Sequence, residues 1–145
     1  MRYLFTILLA LLMAAPMLAQ QQGGAATDGP EPQHIFSIYF GGGSWYIEGQ
    51  QVNSLDEFIN SIPDILQYNI TIHSHTDNIG GAEYNAWLSQ MRSETVVQQL
   101  MQFNIPKELM EIKDFGQYNP VYDNNTYLGR LRNRRVDIIL WPIAL

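Results

Sequence analysis

Residues 69–103 read NITIHSHTDNIGGAEYNAWLSQMRSETVVQQLMQF, and two periodicities meet in them. From Asn69 to His73 the pattern alternates, with Ile70 and Ile72 on one face and Thr71 and His73 on the other. That period of two marks a short strand. Gly80-Gly81 then breaks the chain. A long helix is expected over about 82–103, with Tyr84, Leu88, Met91, Val96, Leu100 and Phe103 as its apolar stripe. A strand feeding a glycine turn and a returning helix is the core of an α/β arrangement.

The flanking segments extend the pattern. Ile35 to Phe40 is rich in β-formers and ends at Gly41-Gly42-Gly43, a permissive turn. Ser54-Leu55-Asp56-Glu57 has the form of a capping box. It predicts a helix from there through about Ile62, with Leu55, Phe58, Ile59 and Ile62 at helical spacing and Pro63 as the stop. A third strand is expected over about 110–115 and a fourth over 135–141, closed by Pro142. The expected class is α/β, an α+β sandwich in the order β-α-β-α-β-β, with one mixed sheet and two or three helices packed on it.

Composition bounds the partners. The 145 residues suffice for one domain of ordinary size. A hydrophobic fraction of 46% with only 15% charged residues argues against global disorder. Eight Lys+Arg against fourteen Asp+Glu give a net charge of −6, so nucleic acid is not an expected partner. The absence of cysteine excludes a disulfide scaffold, a thiolate zinc site, a cysteine nucleophile and a cysteine-linked acyl anchor from this sequence.

At the N-terminus, Met1-Arg2 precedes an apolar run to Ala15, Pro16 interrupts it, and Ala19 precedes a plausible cut. These are the parts of a secretory signal peptide, expected over residues 1–19. An uncleaved membrane anchor is the rival reading, but the run is short for a spanning helix and ends in proline. Residues 20–33 (QQQGGAATDGPEPQ) read as a flexible linker, and 34–145 as the folded domain. After cleavage no transmembrane segment is expected.

Three constellations could carry chemistry. His73-x-His75-x-Asp77 would place two imidazoles and a carboxylate on one face of an extended chain, a set suited to zinc. It motivates a metal-dependent hydrolase reading, weakened because Asn78 follows and only His34 remains elsewhere. Asn85, Ser89 and Arg92 stack on one face of the long helix. With Asp77 at the strand end brought beside them, a carboxylate and a guanidinium suit a zwitterionic ligand, ammonium to the acid and carboxylate to the arginine. Finally, Arg130, Arg132, Arg134 and Arg135 place half of all basic residues within six positions of the run Asn124 to Val136. That run reads as an anion-facing patch or a set of internal salt bridges.

Taken together, His75-Thr76-Asp77-x-x-Gly80, Tyr84-Asn85-x-x-Leu88-Ser89-x-x-Arg92 and Gly129-Arg130-x-x-Asn133-Arg134-Arg135-Val136 resemble the OmpA-like peptidoglycan-binding domain. The resemblance covers about residues 35–140 and includes the 15-residue separation of Asp77 from Arg92. It implies a non-enzymatic module, without cofactor or metal, that grips the meso-diaminopimelate of the peptidoglycan stem. Asp77 would bind an ammonium group and Arg92 a carboxylate. Thr76, Asn78 and Asn85 would add hydrogen bonds, Leu88 would line the pocket, and Arg135 would sit near its rim. The implied location is the periplasm, associated with the outer membrane and an outer-membrane protein partner. Two departures stand out: Ser74 replaces a glycine of the pattern, and Gly41 stands where many relatives carry an acid. The second motivates an alternative, an assembly subunit that keeps the fold with weak or lost wall binding.

Overall fold

The computed structural model describes residues 31–143, so the expected signal peptide, most of the linker and the last two residues lie outside the described residues. Four strands form one mixed sheet: β1 (His34–Tyr39), β2 (Tyr68–His75), β3 (Met110–Gly116) and β4 (Arg135–Pro142), in spatial order β1-β4-β2-β3. β4 runs antiparallel to both β1 and β2, while β2 and β3 are parallel. A parallel neighbour needs a long crossover, and helix α2 (Ala82–Gln102) supplies it.

Alternation decides what faces the helices. Ile38 of β1, Ile70 and Ile72 of β2, and Val136, Ile138 and Leu140 of β4 are fully buried on one side of the sheet. They meet Leu55 and Ile59 of α1 (Gly49–Asn60) and Val96, Val97 and Leu100 of α2 in one core. At the end of α2, Asn104 adopts a left-handed φ of 62°. The Ile105 N–H then donates to the Leu100 carbonyl at 3.2 Å and the Asn104 N–H to that of Met101 at 3.0 Å. This is a Schellman closure, and it tucks Ile105 into the core.

Two expectations are corrected. α1 begins at Gly49 rather than at Ser54, which is exposed within the helix. The physical reason lies in tertiary contacts. Val52 packs on the core one turn ahead of Leu55, and Gln51 clasps the edge strand. The Gln51 side-chain amide donates to the Tyr39 carbonyl at 2.8 Å and accepts from the Tyr39 N–H at 2.8 Å. Satisfying the outward backbone groups of an edge strand also blunts that edge. The second concerns order alone: the third of the expected two or three helices, α3 (Tyr127–Asn133), lies between the last two strands, so the order is β-α-β-α-β-α-β. Thr126 caps it, its side-chain oxygen accepting from the Gly129 N–H at 2.9 Å.

Candidate functional site

The ends of β2 and β4, the loop after β1 and the N-terminal half of α2 converge on one cavity of about 230 Å³. Its polar wall comprises Thr76, Asp77, Asn85, Arg92 and Arg134, and Leu88, Ile79 and Tyr84 supply apolar surface. The register explains the meeting of Asp77 and Arg134. Ser74 of β2 pairs with Val136 of β4, so the antiparallel strands bring the residues just past one end beside those just before the other.

Asp77 is buried, and each of its carboxylate oxygens accepts one hydrogen bond within the protein. Oδ2 accepts from Arg134 Nε at 2.6 Å, and Oδ1 accepts from the Ile79 N–H at 3.0 Å. Thr76 donates from its hydroxyl to the Asp77 carbonyl at 2.9 Å, fixing the turn. Asn85 donates to the Ile79 carbonyl at 3.2 Å and to Gln117 Oε1 at 2.8 Å, tying that turn to α2.

Arg92 has no solvent exposure at all. Its Nε, Nη1 and Nη2 groups donate to the carbonyls of Ser44, His75 and Gly41 at 2.8, 3.0 and 3.0 Å. The guanidinium also lies over the Phe40 ring, 4.9 Å from its centroid. Burial brings its pKa down to about 10, with Asp77 opposing the shift and Arg134 adding to it, so the group stays charged at neutral pH. A guanidinium has five N–H donors. Three are spent on backbone carbonyls, and the guanidinium also borders the cavity. The cavity therefore offers one carboxylate and two guanidiniums, a net positive pocket in an acidic protein.

Of the residues singled out from sequence, Thr76, Asp77, Asn85, Leu88 and Arg92 line this cavity together. Asn78 is exposed and outside the lining. Arg135 is also outside it, where a rim position was expected. Its Nε donates to both Asp137 carboxylate oxygens at 3.1 and 3.0 Å, and its guanidinium lies 5.6 Å from the Tyr122 ring centroid. Successive residues of a strand point to opposite faces. Val136, Ile138 and Leu140 face the helices, so Arg134 shares their side and Arg135 takes the other. The alternation that fixes Arg134 is present in the sequence.

The convergence expected for His73, His75 and Asp77 is absent. The β2–β3 register shifts between Ser74 and His75, and the chain leaves the strand after His75. Both imidazoles stay on the sheet face away from the helices, against Phe115, with ring centroids 5.3 and 5.0 Å away. Asp77 turns into the cavity instead. Among the described residues no three histidine or acidic side chains are grouped to hold a metal ion.

The arginine-rich run is largely architectural. Asn133 donates to the Tyr122 carbonyl at 2.8 Å and accepts from the Tyr122 N–H at 3.1 Å, and it also donates to Asn124 Oδ1 at 2.8 Å. Arg130 donates to the Asn124 carbonyl at 2.9 Å. These bonds hold the β3–β4 connection and so deliver Arg134 to the cavity.

Comparison with known proteins agrees with this fold. A model of the OmpA family matches residues 39–134. Outer-membrane lipoprotein YfiB of Pseudomonas aeruginosa is 31% identical over 122 residues, 83% of this chain and 73% of that protein. Motility protein B of Bacillus subtilis is 33% identical over 111 residues, and peptidoglycan-binding protein ArfA of Mycobacterium tuberculosis 32% over 88. These stretches are 73% and 58% of this chain but only 42% and 27% of those longer proteins. Among solved structures, the peptidoglycan-associated lipoprotein from Burkholderia pseudomallei superposes with a TM-score of 0.62 at 28% identity, covering 72% of this chain and 88% of that one.

Proposed function

Because this chain belongs to the OmpA family, we propose that it binds cell-wall peptidoglycan without covalent chemistry, through the meso-diaminopimelate of the stem peptide, on the periplasmic side of the envelope. The observation that carries this reading is the pairing of one buried carboxylate with two guanidiniums around a single cavity. The free end of the diamino acid bears an ammonium and a carboxylate side by side. Asp77 would take the ammonium, sharing its carboxylate with Arg134. The ligand carboxylate would meet the donors of Arg92 that the backbone carbonyls leave free, together with Arg134. No bond is made or broken in this scheme, so the protein acts as an anchor rather than an enzyme. The peptidoglycan-binding relative ArfA and the peptidoglycan-associated lipoprotein support the assignment by name and fold. No helix among the described residues is long and apolar enough to cross a membrane.

The test is co-sedimentation of the purified protein with diaminopimelate-type peptidoglycan, with lysine-type peptidoglycan as control. Asp77→Asn keeps an oxygen for the Ile79 N–H while removing the charge that faces the ligand. A charge-assisted hydrogen bond contributes about 1.5–3 kcal/mol, so binding should weaken by roughly 10- to 100-fold. Wild-type protein that stays soluble with both walls overturns the reading.

One observation favours a second reading. Asp77 and Arg92 also bond within the protein, Asp77 to Arg134 and the Ile79 N–H and Arg92 to three backbone carbonyls, so they serve as a network that holds the fold. An assembly subunit with lost wall affinity would retain that network. It would stay in the supernatant when the wall is pelleted, and co-purify with an envelope protein.

A further inference from the structure

Four large aromatic side chains stand exposed around the mouth of the cavity. Trp45 and Tyr46 follow the glycine loop after β1, and Tyr84 and Trp87 lie on the first turns of α2. Their exposures are 39%, 71%, 46% and 43%, which is unusual for aromatic residues of this size gathered in one place. Three of them touch in series. The Trp45 and Trp87 rings meet nearly at right angles with centroids 5.3 Å apart, and Tyr84 lies 5.7 Å from Trp87. Tyr84 belongs to the cavity as well. A second, more open depression lined by Gly42, Gly43, Ser44, Trp45 and Tyr46 adjoins the cavity, sharing Gly42 and Gly43 with it.

We infer that this aromatic rim is a sugar-stacking subsite, which seats a pyranose ring of the glycan strand beside the stem peptide held in the cavity. The inference rests on the wall-binding reading and extends it from the amino acid to the saccharide. A pyranose has an apolar face of C–H bonds ringed by hydroxyl and acetamido groups. The electron-rich face of an indole or phenol suits those C–H bonds, and its N–H or O–H suits the ring substituents. Both parts are available in this cluster. Among the described residues the indole N–H groups of Trp45 and Trp87 and the Tyr84 hydroxyl have no protein acceptor, whereas the indole of Trp141 donates to Thr71 at 2.9 Å. The depression beside the cavity is lined by Gly42, Gly43, Ser44, Trp45 and Tyr46 with no charged or aliphatic side chain, so a neutral, amphipathic ring fits it. Continuity with the cavity supplies the geometry, since stem peptide and glycan strand are joined covalently in the ligand.

The experiment is calorimetric titration of the purified protein with two soluble fragments, a disaccharide bearing the diaminopimelate stem peptide and the same peptide without sugar. Wild type should bind the disaccharide form about five- to tenfold more tightly. The double variant Trp45→Ala, Trp87→Ala should lose that advantage while its affinity for the free peptide stays unchanged. Thermal melts and the single variant Trp45→Ala guard against a folding defect. Equal affinity of wild type for the two fragments overturns the sugar subsite and leaves wall binding standing. Failure of wild type to bind either fragment overturns both. If the double variant keeps the sugar advantage, or loses both fragments equally, the rim does not read the sugar. If it changes only self-association measured by sedimentation, the rim is a protein contact and the inference is overturned.

Discussion

Arg92 shows how a single side chain can belong to a site and to the fold at once. Its three carbonyl partners come from the loop after β1 and from the end of β2, so one guanidinium pins both to α2. Removing it would leave the buried His75 carbonyl, and the partly buried ones of Ser44 and Gly41, without this donor. Arg92→Ala should cost about 3–5 kcal/mol of stability, read as a lowered urea midpoint. Arg92→Lys should recover only part of that, because a compact ammonium cannot reproduce a planar fork. An unchanged midpoint in both variants would show that the clamp carries little energy. Loss of ligand binding on Arg92→Ala is therefore assigned to a lost ligand contact only beside its urea midpoint, and Asp77→Asn, which keeps an acceptor for the Ile79 N–H but takes one from Arg134, is read with the same control. His75 makes a second prediction at this scale. Burial, with Arg135 nearby, depresses its pKa from 6.5 to about 4, against the opposing pull of Asp137. Its Nδ1 is buried without a partner. The unfolded chain would take up a proton near pH 6.5 that the native imidazole refuses. Stability should be full above that pH and fall between about 6.5 and 4, by a few kcal/mol at roughly 1.4 kcal/mol per unit. His73, shifted in the same direction, adds to the trend. Urea midpoints at pH 7.5 and 5 should converge in His75→Gln relative to wild type, and an identical pH slope in the two proteins would refute the account.

At the scale of the element, two glycines on helices should respond oppositely to a methyl group. Gly129 in α3 lies so close to the preceding turn that an added Cβ would overlap the Asp123 carbonyl oxygen. Gly129→Ala must displace backbone, and a loss of about 3 kcal/mol or more is expected. Because α3 leads directly into Arg134, ligand affinity should fall with it. Gly49, the first residue of α1, has nothing within 4 Å of a built Cβ. Gly49→Ala should raise stability by about 0.4–1 kcal/mol through a less flexible unfolded chain. Thermal melts of the two variants check both signs. The same element explains why α3 escapes a reading by periodicity: at seven residues it buries only Gly129 and Asn133, and it is held by side-chain bonds to Tyr122 and Asn124 instead of an apolar stripe. The N-terminal half of α2 departs in a related way. Asn85, Ser89 and Arg92 are buried while Tyr84 is exposed, because this half of the helix faces the cavity, through Asn85 and Arg92, and the end of β3, where Ser89 accepts from the Gly116 N–H at 3.1 Å.

At the scale of the molecule, the sheet places two unlike surfaces back to back. One side carries the helices, the core and, at the ends of β2 and β4, the charged cavity. The other carries the row of Ser37, Asp137 and His73 across β1, β4 and β2, where Ser37 donates to Asp137 at 2.6 Å. A one-residue change of register would exchange these faces, so binding and stability depend on the same alternation. The two arginines at the start of β4 divide accordingly: Arg134 works on the cavity side and Arg135 on the opposite face with Asp137.

Periodicity and turn residues were enough to determine the four strands, the long crossover helix and the mixed class, because burying an apolar face demands a regular spacing that any reader of the sequence can see. Motif spacing likewise brought Asp77, Asn85, Leu88 and Arg92 to one candidate cavity. The start of α1 was not legible, since a local capping signal at Ser54 lost to the packing of Val52 and the clasp of Gln51 on Tyr39. Nor was it legible that Arg92 would be wholly buried on three backbone carbonyls, because those carbonyls lie 17 to 51 residues away in the chain. The arrangement of Trp45 beside Tyr84 and Trp87 has the same origin. Residues so distant in sequence become neighbours only when the glycine loop after β1 folds against α2, and that approach is fixed by the packed core and not by any local preference.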